Sequence, residues 1–255
     1  MNKILKYVLY DIVRNRIVIG YTLFLLVASM GMFALDSDPG KAVLSLLNII
    51  LLTVPLISII FGTIHFYNSY EFMELLVAQP INRSRIFLSE YLGTALSLSM
   101  AFLIGVGLPL ALNNPGFTTV SLLLVGVCLT FIFVSLAFLA SVITRDKAKG
   151  IGVALLLWFY FALLYDGLVI FTLFFLSDYP LEQASLVLIT LNPIDLGRII
   201  VLLNIDISAL MGYTGALYKN FFGNAMGLVY AFGLLLVWIV VPLYVAQRVF
   251  AKKDL

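Results

Sequence analysis

A single acidic residue lies well inside an apolar stretch of the sequence, and it is the first candidate for chemistry. Asp166 follows Ile151, the first residue of that stretch, by fifteen positions, which corresponds to about 22 Å along a helix. A carboxylate at that depth of a membrane must face other protein groups or a watery cavity, and such residues are functional candidates by default. We therefore expect Asp166 either to take part in a conformational change or to fix helix packing through a hydrogen bond.

A polar motif further along the chain carries the other charged candidates. Its residues are Asn192, Pro193, Asp195 and Arg198, and it interrupts the middle of an apolar run over 184–205. Because charged side chains are costly in a bilayer, the interruption predicts short helices in or on the outer leaflet and not a seventh crossing. Asp195 and Arg198 are three positions apart, the spacing at which opposite charges pair on a helix.

A third polar stretch, residues 68–90, has the pattern of a short helix followed by a proline stop. Asn68 and Glu71 match a capping box at a helix start, and Pro80 disfavours helical backbone in the residue before it, so the predicted helix spans 68–79. The stretch is either a docking surface for another protein or a connecting loop on the lipid headgroups. The residues that would form the surface are Glu71, Phe72, Glu74, Leu75, Leu76, Pro80 and Arg83.

Several catalytic and metal-binding patterns are absent from the sequence. No glycine-rich segment ends in Gly-Lys-Ser or Gly-Lys-Thr, the phosphate-binding loop of ATPases, so the chain is not expected to hydrolyse ATP itself. His65 is the sole histidine and Cys128 the sole cysteine. Paired catalytic carboxylates and a Ser/His arrangement are also missing, which argues against an intramembrane enzyme. We therefore predict no catalytic residue, no metal ligand and no cofactor bound by this chain.

These candidates must be positioned by membrane-spanning helices. The sequence is 63% hydrophobic and 11% charged, far from the balance of a soluble domain, and it has six apolar runs of about 20 residues or more, the length that crosses a bilayer. An amphipathic segment, 1–16, is predicted to lie in the membrane interface. The fold class is thus an all-α integral membrane protein. Its predicted spans are 17–35, 42–64, 92–112, 117–144, 151–177 and 225–247.

The distribution of Lys and Arg orients these spans. Of the 15 basic residues, four precede span one, two lie between spans two and three, three lie between spans four and five, and three follow span six, which makes twelve on one side. The other side has Lys41, Arg198 and Lys219. Because short basic loops stay in the cytoplasm, both termini and the 68–79 helix are predicted to be cytoplasmic, and 178–224 is the outer region. The net charge of +2 gives no reason to expect binding of nucleic acid.

This arrangement resembles the ABC-2 type permeases, the membrane subunits of transporters whose ATPase is a separate chain. The resemblance covers nearly the whole chain, although Phe72 and Met73 stand where the family commonly has Gly-Thr. It implies that 68–79 is a coupling helix seated in a groove of the ATPase, and that ATP and Mg are bound by the ATPase. The matches to the family pattern after span two are Glu71, Glu74, Leu75, Leu76, Pro80, Ile81 and Arg83.

A narrower resemblance, to the permeases of NosDFY systems, rests on Leu191 to Asp195, Arg198 and Asp166. Those systems support maturation of the copper sites of nitrous oxide reductase. The resemblance implies a homodimer in the bacterial inner membrane, two ATPase subunits, and a β-helical protein of the NosD type on the periplasmic face, where the 192–198 motif would contact it. The alternative is an ABC-2 exporter of a drug, ion or lipid-like substrate, which shares the architecture but lacks the periplasmic partner.

Overall fold

The computed structural model describes residues 2–36, 38–113, 115–144, 146–175, 182–203 and 225–252. Within these ranges the chain is almost entirely helical and has no strand, which confirms the predicted all-α fold class. The end of predicted span five at 176–177 and most of the predicted outer region, at 178–181 and 204–224, lie outside the described residues.

Twelve α-helices and two π-helical turns make up the described part of the chain. The first six helices are α1 (Asn2–Val13), α2 (Arg16–Leu35), α3 (Pro39–Asn68), α4 (Tyr70–Val77), α5 (Arg83–Phe102) and α6 (Leu108–Asn113). The other six are α7 (Phe117–Ile143), α8 (Lys147–Phe159), α9 (Tyr165–Phe175), α10 (Glu182–Thr190), α11 (Pro193–Leu202) and α12 (Ala225–Lys252). The π-helical turns are Leu103–Gly107, between α5 and α6, and Tyr160–Leu164, between α8 and α9.

Six helical segments of the described chain are long and apolar enough to cross a membrane, as predicted. They are Arg16–Leu35, Pro39–Asn68, Arg83–Asn113, Phe117–Ile143, Lys147–Thr172 and Met226–Lys252. The chain is therefore a multi-pass membrane protein. We call the end of the bundle that carries α4 the α4 end, and the end that carries α11 the α11 end.

Polar residues in the short connections start the next helix. The side-chain oxygens of five of them accept a hydrogen bond from a backbone N–H in the first turn, which supplies a partner for an otherwise unpaired donor. Asn82, two residues after Pro80, accepts from Ser84 N at 2.9 Å and so starts α5. The five capping residues are Asn15, Asp38, Asn82, Asp146 and Asn192.

Helix α7 lies at the centre of the bundle, and two thirds of the residues in its most apolar 18-residue segment are buried. It packs against α3, α5, α11 and α12. Close approach needs small side chains: a Cβ on Gly126 would overlap the Phe102 ring, and one on Gly197 of α11 would lie 2.7 Å from Val125 Cγ1. The spans formed by α8 with α9 and by α12 are far less buried.

Helix α1 packs against α5 through one side. Val8 and Ile12 are buried, and a Cβ on Gly93 of α5 would overlap Val8. The opposite side remains exposed, with Tyr7 61% and Tyr10 59% accessible. The segment is thus amphipathic, as its sequence predicts, and its apolar side contacts protein.

Each π-helical turn has a carbonyl that is bonded by a polar side chain from another element. Ser29 of α2 donates to Gly105 O at 2.8 Å, and Asn192 donates to Phe161 O at 2.9 Å. Single π-helical turns disturb the regular ladder of hydrogen bonds and are frequent at functional sites. The second of them ends at Leu164, two residues before Asp166.

Candidate functional site

The polar residues singled out near the α11 end form one network in the structure. Arg198 Nη1 donates a hydrogen bond to Asp166 Oδ2 at 3.3 Å and lies 3.1 Å from Asp195 Oδ1. The predicted pairing of Asp195 with Arg198 is therefore confirmed. The pairing of Arg198 with Asp166 joins α11 to span five, and the sequence does not predict it because the two residues are 32 positions apart.

Asn192 holds this network in place from inside the protein. It is fully buried, and its Oδ1 accepts from Ile194 N at 3.0 Å, which caps α11. Its Nδ2 donates to Phe161 O and to Asp195 Oδ2, both at 2.9 Å. One side chain thus ties the start of α11, the π-helical turn of span five and a carboxylate together.

The sequence around these residues explains the local backbone. Pro193 occupies the first turn of α11, where its missing N–H removes no helical hydrogen bond and its fixed φ suits a helix start. Most of α11 is buried, between α3 and α7, with Gly197 facing Leu51 and Val125. The predicted short helices are therefore present at Glu182–Thr190 and Pro193–Leu202, and α11 packs within the bundle.

The charges at the α11 end are only partly compensated. The pKa of Asp195 is raised from 3.8 to about 6, first by burial and then by the neighbouring charge of Asp166, while the charge of Arg198 opposes both. Asp195 Oδ1 is held by the ion pair with Arg198 Nη1, 3.1 Å away, without a hydrogen bond, and Arg198 Nε has no hydrogen-bond partner among the described residues. Buried polar groups are normally satisfied, so these two atoms mark the network as incompletely paired.

A cavity of about 240 Å³ opens beside these charges. Its polar wall is the pair of carboxylates and Arg198, and its remaining wall is aliphatic. A mixed wall of this kind accommodates water or a small polar group next to the Asp166–Arg198 pair. The lining residues are Asp166, Val169, Ile170, Ile189, Asp195, Arg198 and Ile199.

The predicted surface at the other end of the bundle lies on α4 and the turn after it. Asp166 is nineteen positions beyond Lys147, where α8 begins, so the two sites are separated by about 28 Å along span five. Helix α4 begins at Tyr70, and Ser69 occupies the cap position without a side-chain hydrogen bond. The predicted capping box from Asn68 is therefore wrong: α3 continues through Asn68, whose Oδ1 accepts from Lys147 Nζ at 2.8 Å.

Helix α4 is anchored by Met73, which is fully buried. Leu75 is 69% exposed, with Glu71 and Glu74 also exposed. Leu76 is half-buried against the core. The sequence groups Phe72, Leu75 and Leu76 on one face, whereas the structure turns Leu76 inward and leaves Leu75 outward.

The aromatic ring of Phe72 extends the exposed surface of α4 onto α1. It lies 5.4 Å from the ring of Tyr7, measured between centroids, and Tyr7 itself is largely exposed. Pro80 is exposed and Arg83 is half-buried at the start of α5. We call Tyr7, Glu71, Phe72, Glu74 and Leu75 the α4 surface. Tyr7 was not predicted from sequence, because nothing in its spacing relates it to a helix more than sixty residues away.

The arrangement can be compared with known proteins. The sequence profile described as ABC-2 family transporter protein matches residues 3–255. The chain belongs to the ABC-2 family. This ABC-2 chain is 29% identical to the probable ABC transporter permease protein NosY of Stutzerimonas stutzeri over 251 residues, which cover 89% of the chain and 85% of the relative. It is 32% identical to the probable ABC transporter permease protein NosY of Pseudomonas aeruginosa PAO1 over 202 residues, 72% of the chain and 71% of the relative.

Two buried polar residues of the ABC-2 chain were missed as site candidates. His65, in the last turn of α3 before α4, has its Nε2 3.1 Å from Glu90 Oε2. The sequence signal for Glu90 is the capping residue Asn82. Because Asn82 caps α5, the helix begins at Arg83, and Glu90 lies two turns inside it. No cluster of three or more metal-ligating side chains occurs in the ranges that the structure describes.

Proposed function

We propose that this chain is the membrane subunit that couples ATP hydrolysis by a separate ATPase to movement of its spans, and that it serves maturation of the copper sites of nitrous oxide reductase. The α4 end is then cytoplasmic and the α11 end periplasmic, in a bacterial inner membrane. Family membership supports the general role. The two relatives named NosY support the specific one.

The observation that carries the coupling role is the exposure of Leu75. A leucine that is 69% exposed, beside Phe72, Glu71 and Glu74, gives α4 an apolar centre with an acidic rim. The buried Met73 packs α4 into the bundle. Because of this packing, α4 can transmit force to the spans. An apolar anchor surrounded by polar residues is the usual composition of a protein interface.

At the other end, the Asp166–Arg198 pair is the element whose arrangement changes when the spans tilt. Asp166 belongs to span five and Arg198 to α11, so any relative displacement of the two helices alters the pair. We propose that ATP-driven movement changes this contact in a homodimer of the chain, and that a β-helical protein of the NosD type sits on the periplasmic face near α11. ATP acts by favouring one of two conformations of the assembly.

The test is affinity purification of the chain from its native membrane in mild detergent. We expect an ATPase and a periplasmic β-helical protein to purify with it, and we expect Leu75→Asp to remove the ATPase because a charge replaces the apolar anchor. The matched control is Leu112→Asp, which places the same charge on a leucine that is 76% exposed at the opposite end. An ATPase without the β-helical protein would favour the ABC-2 exporter, and an ATPase retained by Leu75→Asp would contradict the coupling role of α4.

A further inference from the structure

The last turn of α3, directly before α4, is held on one side by buried polar groups. His65 Nε2 lies 3.1 Å from Glu90 Oε2 of α5 and 3.3 Å from the hydroxyl of Ser69, the residue between α3 and α4. The ring of Phe61 stacks on the imidazole at 5.9 Å. This group of side chains joins the start of α4 to span three.

The same turn is held on its other side by the connection between spans four and five. Thr144 Oγ1 donates to Ala140 O at 2.7 Å, so the Tyr67 hydroxyl donates to Thr144 Oγ1, 2.6 Å away. A Cβ on Gly150 of α8 would overlap the Tyr67 ring, which shows that the ring is seated against the helix backbone. This contact joins the start of α4 to spans four and five.

We propose that these two contacts form a clamp through which displacement of α4 reaches spans three, four and five together, with Glu90 and Tyr67 as its positioning residues. The inference rests on the proposed function, because it takes α4 as the element that the ATPase moves. The residues of the clamp are His65, Tyr67, Ser69, Glu90, Thr144 and Gly150. Neither Asp166 nor the α4 surface belongs to it.

The polar side of the clamp has a feature that simple packing does not explain. Glu90 is 1% exposed, and its Oε1 has no hydrogen-bond partner among the described residues. An unsatisfied buried carboxylate oxygen is costly, and two apolar residues of similar size would hold α3 and α5 together at least as well. The free oxygen of Glu90 can instead accept a new hydrogen bond when α4 moves. Coupling between distant sites requires an element with two such alternative arrangements.

The experiment measures whether ATP, which acts at the α4 end, changes the accessibility of a residue at the α11 end. A single cysteine replaces Val169, which lines the cavity beside Asp166, in a Cys128→Ser background. The complete complex with its ATPase is reconstituted in vesicles, and the rate of labelling by a membrane-impermeant maleimide is measured with and without ATP. We expect ATP to change the rate in this parent.

The two clamp variants are Glu90→Gln and Tyr67→Phe, and the matched control is Tyr91→Phe. Tyr91 is a buried tyrosine whose hydroxyl donates to the backbone oxygen of Phe131 at 3.2 Å, so Tyr91→Phe likewise removes one tyrosine hydrogen bond, but at a place that does not touch the turn before α4. Since one hydrogen bond shifts a two-state ratio about fivefold, we expect the ATP-dependent change in rate to fall about fivefold in the clamp variants and to stay at the parent value in the control. Bound ATPase and its rate of hydrolysis are measured on the same samples.

Two results would overturn the inference. One is an ATP-dependent change in labelling rate that is as large in both clamp variants as in the parent, with the ATPase still bound. The other is a parent that binds and hydrolyses ATP without any change in labelling. Absence of the ATPase from the parent complex is a different result, because it contradicts the proposed function and the clamp with it.

Discussion

Replacement of Asn192 by alanine tests the network at the α11 end. Three hydrogen bonds depend on this side chain, and all are buried. Loss of the cap on α11 costs about 1 kcal/mol, and loss of each of the two bonds donated by Nδ2 costs about as much, because Phe161 O and Asp195 Oδ2 lose this buried donor. Asn192→Ala should therefore destabilise the protein by about 3 kcal/mol, or about 6–12 °C in thermal midpoint for a chain of this size.

The assay is the shift in tryptophan fluorescence on heating of the purified protein in detergent. Trp238 is a suitable reporter, because its Nε1 donates to Thr190 O at the end of α10, 3.4 Å away. The matched control is Asn15→Ala, which removes an exposed cap alone and should lower the midpoint by about 2–4 °C. An Asn192→Ala midpoint no lower than that of the control would refute the reasoning.

Two further predictions concern charge and packing. Because burial and the charge of Asp166 raise the pKa of Asp195 from 3.8 to about 6, the folded state favours the protonated carboxyl, so the contribution of Asp195 to stability is greatest below pH 3.8 and is lost as the pH rises through about 6. The midpoint of the wild type relative to Asp195→Asn should fall over that interval by the equivalent of at most about 3 kcal/mol, and a flat difference across it would contradict the assignment. Gly126→Ala should lower the midpoint because its Cβ would overlap the Phe102 ring, whereas Gly152→Ala, with open space at its Cβ, should raise it slightly through better helix propensity; equal shifts in the two variants would contradict the packing at Gly126.

The membrane architecture follows from local sequence properties. Apolar runs of sufficient length determine the six spans, and the polar residues between them cap the following helices, as Asn82 does. The pairing of Asp195 with Arg198 is also local, since the two residues lie on one helical turn. These features depend on neighbours a few positions away, which is why the sequence predicts them.

The composition of the candidate sites depends on contacts between distant segments. Asp166 meets Arg198 because α11 packs between α3 and α7, and Asn192 meets Phe161 O because span five contains a π-helical turn. Neither hydropathy nor spacing encodes those contacts. The capping box predicted at Asn68 failed for a related reason: α3 continues into the turn, where the contacts of His65 and Tyr67 hold its last residues.

The most direct test of the central claim is site-specific photocrosslinking from α4 in the complete complex. A photoreactive amino acid replaces Leu75, and the same amino acid at Leu112 is the control. We predict a covalent adduct with the ATPase from position 75 and none from position 112. An ATPase that purifies with the chain but forms no adduct from position 75 would contradict the assignment of α4 as its docking site.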